Sequence, residues 1–487
     1  MKKLFLFLFV IYTSVLLSQT VLTSYPIDVK KSKENNPQVL RTLDDILAFS
    51  TSAFNNSKKN NQILNVENKK THEVFAFIKD NEKITILKYN SALFLSSESS
   101  FPIKNLEIYS IEGYSFSEDG NPTLYLSSDG LRNILMVKYY LENKTYRTSN
   151  LRFPFSGQHI ITQFQKNNSF YILSIGRNDQ TLIVNTLNNG GVEKKSFNFS
   201  SYKFQDENTQ SLTFTQLVIK NPIEKIETDD YNPLYKSTKK SKIYILDNRL
   251  ILTLDHNSKK TQVFDLNLET NDLNEKNFTQ SIIQEPKKLS NSFLQEDKLY
   301  QINASESELL LDIKNYYSGQ TIKSIAMSKN DENQFKSSPF FIQKDNRKPK
   351  DFKETKRFLQ HLSLLDVGLS VFKNKKNTFI TLGGTPKIER PKKSNSDNTS
   401  FEEEEGLNFP EIHHSESVYF ERTLDRNFDF INKEQQPLGI DKLYYFLSSN
   451  KKITLQNILK FKDYYILGYY NEKSKQYIMR KFTDGFN

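Results

Sequence analysis

The sequence predicts an all-β protein built from repeated hairpins, and three observations support this fold class. Short runs of β-branched and aromatic residues recur along residues 72–487, and Asn, Asp, Gly and Ser separate them. Hairpins begin near residues 74, 123, 169, 242, 298, 368, 418 and 464, so four of the seven intervals measure 46–50 residues. That spacing is close to the ~40–50 residues of a four-stranded propeller blade. The 37 Phe and 25 Tyr supply large units of buried area. We therefore predict one β-propeller of six to eight blades.

The predicted hairpins follow one another with short polar turns. Their strand pairs are residues 74–78 with 84–87, 124–126 with 134–137, 170–175 with 182–184, 243–246 with 250–254, 299–302 with 309–313, 368–372 with 378–382, 418–420 with 428–431 and 464–470 with 477–482. A ring of blades would bury the face of each sheet and leave only short edges exposed. The alternative is a series of tandem β-sandwiches, which predicts linkers about every ~100 residues. No such linker is visible in residues 72–330.

The amino terminus predicts export. Lys2 and Lys3 precede an apolar stretch over residues 4–17, and Ser18 and Gln19 follow it. The stretch is shorter than the ~20 residues of a spanning helix, so we predict a signal peptide over residues 1–18, with an uncleaved anchor as the alternative. The chain has no Cys, which excludes disulfides and thiolate metal sites and suits a bacterial envelope. We expect the periplasm, the cell surface or the extracellular space.

The remaining organisation is a leader followed by one large domain. Residues 19–70 predict a leader with a short amphipathic helix over 39–47 and a polar linker from residue 55, and residues 71–487 predict the propeller-like domain. Three polar inserts, near 223–242, 331–356 and 385–414, are predicted to extend from it as loops or disorder. Short helices are predicted near residues 358–365 and 443–447, with Asp441 as a cap of the second.

One blade carries a motif that resembles a known repeat. Residues 116–120 read Phe-Ser-Glu-Asp-Gly, residues 124–130 read Leu-Tyr-Leu-Ser-Ser-Asp-Gly, and Ile134 follows. This segment, residues 116–134, resembles the WD-like repeat of TolB-type periplasmic propellers, in which Phe-Ser-x-Asp-Gly forms the turn that enters a strand. The resemblance implies a propeller and a protein-interaction role in the envelope. The chain also resembles uncharacterised exported bacterial β-propeller-like proteins, which imply no activity.

No catalytic, cofactor-binding or metal-binding residue is assigned from the sequence, and no cofactor is expected. His413 and His414, between Glu411 and Glu416, are the densest group of potential ligands, but neighbouring side chains on a strand point to opposite faces. Four other histidines are isolated: His72, His159, His256 and His361. The paired acids Asp44-Asp45 and Asp229-Asp230 lie in polar segments, and the pairs Gly190-Gly191 and Gly383-Gly384 are interpreted as turns.

Lysine and arginine exceed aspartate and glutamate by 67 to 57, and part of the excess forms three clusters in the inserts. The clusters are Lys236, Lys239, Lys240 and Lys242; Lys344, Arg347, Lys348, Lys350 and Lys353; and Lys387, Arg390, Lys392 and Lys393. We interpret them as solubilising residues, because aromatic stacking partners are not interleaved with them. A nucleic-acid partner is therefore not expected.

Three hypotheses of function follow. The first is a non-enzymatic binding or scaffold protein of the envelope, whose loops engage an envelope protein or a glycan. The second is a carbohydrate-active hydrolase or lyase with convergent carboxylates in the central funnel of the ring. The third is a structural surface protein. Whether the chain is an enzyme stays open, with binding preferred, and no transmembrane span is expected once the signal peptide is removed.

Overall fold

The computed structural model describes residues 19–29, 61–128, 130–152, 158–176, 180–283, 289–331, 339–344, 349–374, 377–386, 416–431, 436–450, 452–453 and 455–485. Within these residues the strands form seven sheets of four or five strands and one two-stranded hairpin. We call the seven large sheets blades 1–7 in chain order. The all-β propeller predicted from the sequence is confirmed, and seven lies within the predicted range of six to eight blades.

Four blades are antiparallel meanders in which the strands follow one another from the innermost to the outermost. Blade 1 consists of β2 (Gln62–Glu67), β3 (Val74–Lys79), β4 (Lys83–Tyr89) and β5 (Leu95–Pro102). Blade 2 consists of β6 (Ser110–Phe116), β7 (Pro122–Ser127), β8 (Asn133–Tyr140) and β9 (Thr145–Arg152). Blade 3 consists of β10 (Gln158–Lys166), β11 (Ser169–Gly176), β12 (Thr181–Asn188) and β13 (Gly191–Asn198). Blade 5 consists of β21 (Leu289–Gln295), β22 (Lys298–Ala304), β23 (Glu308–Asn315) and β24 (Thr321–Ser328).

Blades 4 and 6 each have a fifth strand. Between blades 3 and 4 lie the hairpin β14 (Phe204–Gln205) with β15 (Ser211–Leu212) and the helix α1 (Phe214–Lys220). Blade 4 consists of β16 (Ile223–Ile226), β17 (Ser241–Ile245), β18 (Arg249–Asn257), β19 (Lys260–Asn267) and β20 (Leu273–Thr279), and the short helix α2 (Leu234–Ser237) lies between its first two strands. Blade 6 has the order β26 (Lys350–Phe352), β25 (Phe340–Lys344), β29 (Glu416–Leu424), β28 (Thr378–Thr385) and β27 (Asp366–Lys373), with α3 (Thr355–Leu362) before β27. The added strand β16 pairs in parallel with β17, so it forms the innermost strand of blade 4.

Blade 7 joins the two ends of the described chain. It consists of β30 (Gln456–Phe461), β31 (Tyr464–Asn471) and β32 (Gln476–Phe482), and α4 (Gly439–Ser449) precedes it. Its outermost strand is β1 (Gln19–Pro26), which pairs antiparallel with β32. We expected residues 19–70 to form a leader outside the ring, but β1 and β2 are strands of blades 7 and 1. The helix predicted over residues 39–47 lies outside the described residues.

The core of the ring lies between the blades rather than inside each one. Six apolar clusters separate successive blades, and the largest joins blades 4, 5 and 6 through residues such as Tyr244, Phe293 and Val371. Aromatic rings fill much of this space, as where Tyr125 of blade 2 stacks on Phe170 of blade 3 at 5.5 Å between ring centroids. Each sheet therefore buries both faces against its neighbours, which is the burial that a closed ring provides.

The innermost strands are connected by side-chain amides. Ile111 of blade 2 donates its N–H to Gln62 Oε1 of blade 1 at 2.7 Å. Gln165 of blade 3 accepts from the Tyr114 N–H at 2.9 Å and donates back to the Tyr114 carbonyl at 2.6 Å. Blades 7 and 1 are joined likewise, because Asn65 N donates to Asn457 Oδ1 at 2.8 Å and Asn65 Nδ2 to the Asn457 carbonyl at 3.0 Å. The amides thus satisfy backbone groups on the free edge of each inner strand.

Most of the predicted hairpins are confirmed, and the exceptions are informative. Residues 428–431 form only an isolated bridge, at Phe430, so the weakest predicted hairpin is wrong. The turn at 117–121 follows the motif, since Gly120 has φ of +79°. Gly190 also lies in a turn, with φ of +81°, but Gly383 and Gly384 lie within β28. A Cβ at Gly383 would come within 2.1 Å of the Val418 carbonyl oxygen, so this glycine permits close strand packing rather than a turn.

Both predicted short helices are present. α3 begins at Thr355, slightly before the predicted start, and α4 begins at Gly439. Asp441 accepts a hydrogen bond from the Leu438 N–H at 2.9 Å, so it satisfies a free donor at the start of α4. Over the residues with described positions, none of the helices has the length and apolar character needed to cross a bilayer.

The amide bridge between blades 7 and 1 generates a stability prediction. Asn65→Ala should lower the free energy of unfolding by about 2–4 kcal/mol, because it leaves buried groups of Asn457 and Tyr477 without their partner. Urea unfolding followed by far-UV circular dichroism measures the change. Asn143→Ala, at an exposed turn of blade 2, should stay within about 0.5 kcal/mol of the wild type. Equal effects of the two substitutions would contradict a closing role for Asn65.

Candidate binding site at the mouth of the ring

A segment of the chain lies across the centre of the ring. It runs from the end of β16 to the start of β17, over residues 227–240, and we call it the central segment. Side chains and backbone of five blades contact it: Lys166 of blade 3, Ile245 of blade 4, Gln295 of blade 5, Ser370 of blade 6 and Tyr465 of blade 7. A segment of this length that reaches five of the seven blades crosses the middle of the ring. We expected residues 223–242 to extend into solvent as a polar loop, and this expectation is wrong.

The central segment packs closely against the inner strand of blade 6. Thr238 shares a hydrogen bond with Thr385 at 2.9 Å between the hydroxyl oxygens, and a Cβ at Gly368 would lie only 2.8 Å from Thr238 Cα. Ser370 Oγ donates to the Asn232 carbonyl at 2.5 Å. These contacts fill the blade 6 side of the channel with the protein's own chain.

A buried ion pair fixes the end of this segment. Lys242 and Asp255 are both fully shielded from solvent, and Lys242 Nζ lies 3.0 Å from Asp255 Oδ2. Lys242 also donates to Asn291 Oδ1 at 2.6 Å, and Asp255 accepts from the hydroxyls of Thr261 and Ser292. Burial lowers the pKa of Lys242; for Asp255, the effect of burial is outweighed by the charge of Lys242 and the hydrogen bond from Thr261, which hold its pKa low. The interactions are complete, so we assign this pair a structural role.

The start of the central segment carries charged groups that meet residues at the ends of the inner strands. We call these residues the mouth cluster; they are Lys166, Lys225, Glu227, Asp229, Asp230, Lys460 and Tyr465. Lys225 Nζ lies 2.6 Å from Glu227 Oε1, and Lys166 Nζ lies 3.9 Å from Asp229 Oδ2. Tyr465 donates its hydroxyl hydrogen to Asp230. These ammonium groups and carboxylates thus lie close together, and Asp247 Oδ1, at 3.7 Å from Lys166 Nζ, is a further carboxylate beside them.

The environments of the mouth carboxylates shift their pKa values in opposite directions. Burial raises the pKa of Asp230, and the charge of Lys460 and the hydrogen bond from Tyr465 offset this only in part. Burial acts in the same sense on Glu227, but the charges of Lys225, Lys236 and Lys166 outweigh it and lower its pKa. Burial raises the pKa of Tyr465 well above its usual value. The cluster therefore contains carboxylates with different proton affinities in one place.

Two further carboxyl groups lie near the centre. Glu224 of β16 lies 3.6 Å from Lys236 Nζ, and burial raises its pKa in spite of that charge. Glu112 of β6 accepts from Gln163 Nε2 at 3.1 Å, and burial raises its pKa to about 7. Both groups lie on innermost strands, so they are inside the ring rather than at its rim.

The groups singled out in the sequence do not converge on one site. His413, His414 and Glu411 lie outside the described residues, as do Asp44 and Asp45, and Glu416 pairs with Lys344. Asp229 and Asp230 do reach the mouth, although Asp229 is mostly exposed and Asp230 is hydrogen-bonded. The third basic cluster, which begins at Lys387, also lies outside the described part of the chain. Among the described residues no group of three or more His, Asp or Glu side chains could hold a metal ion.

The first basic cluster is not a solubilising surface. Lys236 is 8% exposed and Lys242 is 0% exposed, so two of its four lysines are buried in the centre. Sequence composition does not reveal this, because lysine is among the residues that are rarely buried unless they are paired. The lysines that the sequence interpretation missed, Lys166, Lys225 and Lys460, are separated along the chain and meet only through the ring.

The isolated histidines differ in their surroundings. His72 Nδ1 lies 2.7 Å from Glu67 Oε1, and His159 is exposed on β10. His256 of β18 is 9% exposed, and among the described residues neither of its ring nitrogens has a hydrogen-bond partner. Its ring lies 6.3 Å from the ring of Phe204 in the hairpin β14–β15. Burial lowers the pKa of His256 to about 4, in spite of the nearby charge of Asp255.

No protein-family model and no curated protein matches the chain. Among solved structures, it is similar to the WD40 domain of SCAP from fission yeast, with 10% identity and a TM-score of 0.28 over 88% of this chain and 85% of that one. It is also similar to Hsv2 of Kluyveromyces lactis, with 7% identity and a TM-score of 0.31 over 87% and 99% of the two chains. The Nup133 β-propeller domain of Vanderwaltozyma polyspora gives 10% identity and a TM-score of 0.24 over 56% and 76%. At such low TM-scores the similarities carry no weight, and the propeller rests on the seven sheets themselves.

The buried ion pair generates a prediction about the central segment. Lys242→Met should lower the free energy of unfolding by about 3–5 kcal/mol, because Asp255 is then buried without a countercharge. The double variant Lys242→Met with Asp255→Leu should recover part of that loss, and urea unfolding measures both. Lys323→Met, which breaks the exposed pair with Asp429, should cost less than about 1 kcal/mol. A Lys242→Met variant as stable as this control would contradict the anchoring role.

His256 generates a prediction about pH. The folded protein holds His256 neutral down to about pH 4, whereas the unfolded chain protonates it near pH 6.5. The contribution of neutral His256 to the free energy of unfolding is therefore fully present above about pH 6.5. It is lost as the pH falls toward 4, by at most ~3 kcal/mol. His256→Leu should remove this part of the pH dependence in urea unfolding. His159→Gln, at an exposed site, should retain the wild-type profile, and an unchanged profile in His256→Leu would refute the assignment.

Proposed function

We propose that the protein is an exported, non-enzymatic binding protein of a bacterial envelope, whose partner contacts the mouth cluster. The observation that carries this proposal is the filled centre of the ring. Because the central segment crosses the middle of the ring, the mouth cluster offers a charged surface there rather than an open funnel. A rigid ring with such a surface is suited to hold an envelope protein or glycan on one face.

Export is supported by the sequence and by the place of β1. Residues 1–18 have the pattern of a signal peptide, and β1 begins at Gln19. As the outermost strand of blade 7, β1 lies at the rim of the ring, so a leader attached there could be removed without a change in any blade. The motif at residues 116–134, which resembles the TolB-type repeat, agrees with a periplasmic address.

Binding is favoured over catalysis because the mouth carboxylates are already engaged. Glu227 accepts from Lys225, and Asp230 accepts from Tyr465 and from the Tyr231 N–H at 2.7 Å. A general base must instead reach a proton of the substrate.

The alternative of a carbohydrate-active hydrolase is favoured by one observation. Asp230 and Glu227 lie near each other and their pKa values are shifted apart, as those of acid–base pairs in glycosidases are. If this alternative holds, Asp230→Asn and Glu227→Gln should each abolish release of reducing sugar from an envelope polysaccharide. The binding proposal expects no such release from the wild type.

A charge-swap experiment tests the binding proposal. The double variant Lys166→Glu with Asp229→Lys exchanges the charges of one pair at the mouth without a change of net charge. Immobilised wild-type protein should capture a stoichiometric partner from an envelope extract, and the mouth variant should lose most of that capture, by about tenfold or more.

Export has its own test. Fractionation of producing cells should find the chain outside the cytoplasm, and amino-terminal sequencing should find that it begins near Gln19.

A matched control swap distinguishes the mouth from the rest of the ring. Lys323→Glu with Asp429→Lys reverses an exposed ion pair between blade 5 and the end of blade 6, and it should leave capture unchanged. Loss of capture in both variants, or in neither, would contradict a site at the mouth. A cytoplasmic chain that retains residues 1–18 would contradict export.

A further inference from the structure

Blade 7 carries lysines that are held in place without being neutralised. Lys460 Nζ lies 4.0 Å from the ring centroid of Tyr465, Lys462 Nζ lies 5.1 Å from that of Phe461, and Lys481 Nζ lies 4.1 Å from that of Tyr464. Among the described residues, no carboxylate lies within 4.0 Å of any of these three ammonium groups. In an ion pair, the charge of the carboxylate offsets that of the lysine. A lysine above an aromatic ring keeps its charge but loses part of its conformational freedom.

The three lysines surround one end of the blade. Lys462 lies in the turn between β30 and β31 and is exposed. Lys460 lies on β30, opposite Tyr465 of β31, and Lys481 lies on β32, opposite Ile466 of β31. Because side chains alternate along a strand, Lys460 lies on the blade 6 side of the sheet and Lys481 on the blade 1 side. We call Lys460, Lys462 and Lys481 the lysine edge.

The carboxylates near the lysine edge offset its charge only in part. Asp230 accepts the hydroxyl hydrogen of Tyr465 and lies near Lys460, so its charge offsets part of that of Lys460. Glu67, which lies near Tyr464, is paired with Lys69 and His72. Asp463 is the exposed acid in the same turn. The edge therefore keeps a net positive charge, and Lys460 connects it to the mouth cluster.

We propose that the lysine edge and the mouth cluster together bind an acidic polysaccharide, whose carboxylate groups meet Lys460, Lys462 and Lys481. This inference rests on the proposed binding function and specifies the ligand class. An extended polyanion can contact several fixed cations at once. Because the aromatic side chains already restrict the lysines, binding costs less conformational entropy. Each lysine of the edge has a ring of its own in contact, which is Tyr465 for Lys460, Phe461 for Lys462 and Tyr464 for Lys481.

The test measures binding of polygalacturonate to the purified chain, with dextran as the neutral comparator. The triple variant Lys460→Gln, Lys462→Gln and Lys481→Gln should weaken binding about a hundredfold, since each lysine near an anionic surface contributes roughly fivefold. Binding by the wild type should weaken between about 50 mM and about 300 mM salt. Asp463→Asn, which removes a negative charge from the same turn, should strengthen binding.

The control removes the same number of positive charges from lysines that are ion-paired. Lys323, Lys373 and Lys475 pair with Asp429, Glu296 and Asp28, so replacing all three with Gln should weaken binding by less than about threefold. An equal loss in both triple variants would show attraction by net charge alone and would overturn the site. Preference of the wild type for vesicles of anionic lipid or for single-stranded DNA over polygalacturonate would overturn the ligand class.

The test separates this inference from the function on which it rests. If polygalacturonate does not bind while the charge swap at the mouth still abolishes partner capture, the binding function stands and the acidic-polysaccharide assignment is wrong. If neither polygalacturonate nor an envelope partner binds, both are wrong. All six lysines are at least partly exposed, so both triple variants should keep the wild-type unfolding temperature. Thermal unfolding of each variant checks this, and a change in binding is then not caused by a loss of folding.

Discussion

The ring depends on how the free edges of its innermost strands are satisfied. Each inner strand has a sheet neighbour on one side only, so half of its backbone groups face the centre of the ring. Gln62, Gln165, Asn457 and Asn291 supply the missing hydrogen bonds to the adjacent blade or to the central segment. An amide side chain suits this task because it carries a donor and an acceptor at one site.

The central segment extends this solution on the side of blades 4, 5 and 6. There Asn291 donates to both the Thr238 and Val367 carbonyls, at 2.9 and 2.8 Å, so one amide joins the segment to two blades. Lys242 and Asp255 then need no contact with water. Opposite them, the mouth keeps some access to solvent, because Glu227 of the mouth cluster and the adjacent Glu224 each retain 28% exposure of their side chains. One segment therefore contains both the residues that are held by a fully buried network and those that keep contact with solvent.

The sequence predicted the middle strands of the blades and missed many of the innermost and outermost ones. Middle strands such as β3 and β11 are buried on both faces and show as apolar runs, whereas β5 and β13 are mostly exposed and read as polar loops. β1 has no apolar pattern either, and its partner β32 lies at the other end of the chain. The mouth cluster could not be predicted for a related reason. Lys166, Glu227 and Lys460 come from three blades and are far apart in the sequence, so no local sequence pattern shows that they meet in the folded protein.

The distribution of charge over the ring has a physical explanation. Lysines that enter the low-dielectric centre persist there only with a carboxylate partner, as Lys225, Lys236 and Lys242 have. At the end of blade 7, aromatic rings take the place of carboxylates, and the ring quadrupole holds a cation without cancelling its charge. Phe and Tyr side chains thus have two roles: they form the core between the blades, and at one edge they make cation–π contacts with lysines. Net charge summed over the whole chain averages these two environments, so it could not locate the surface where positive charge remains available to a partner.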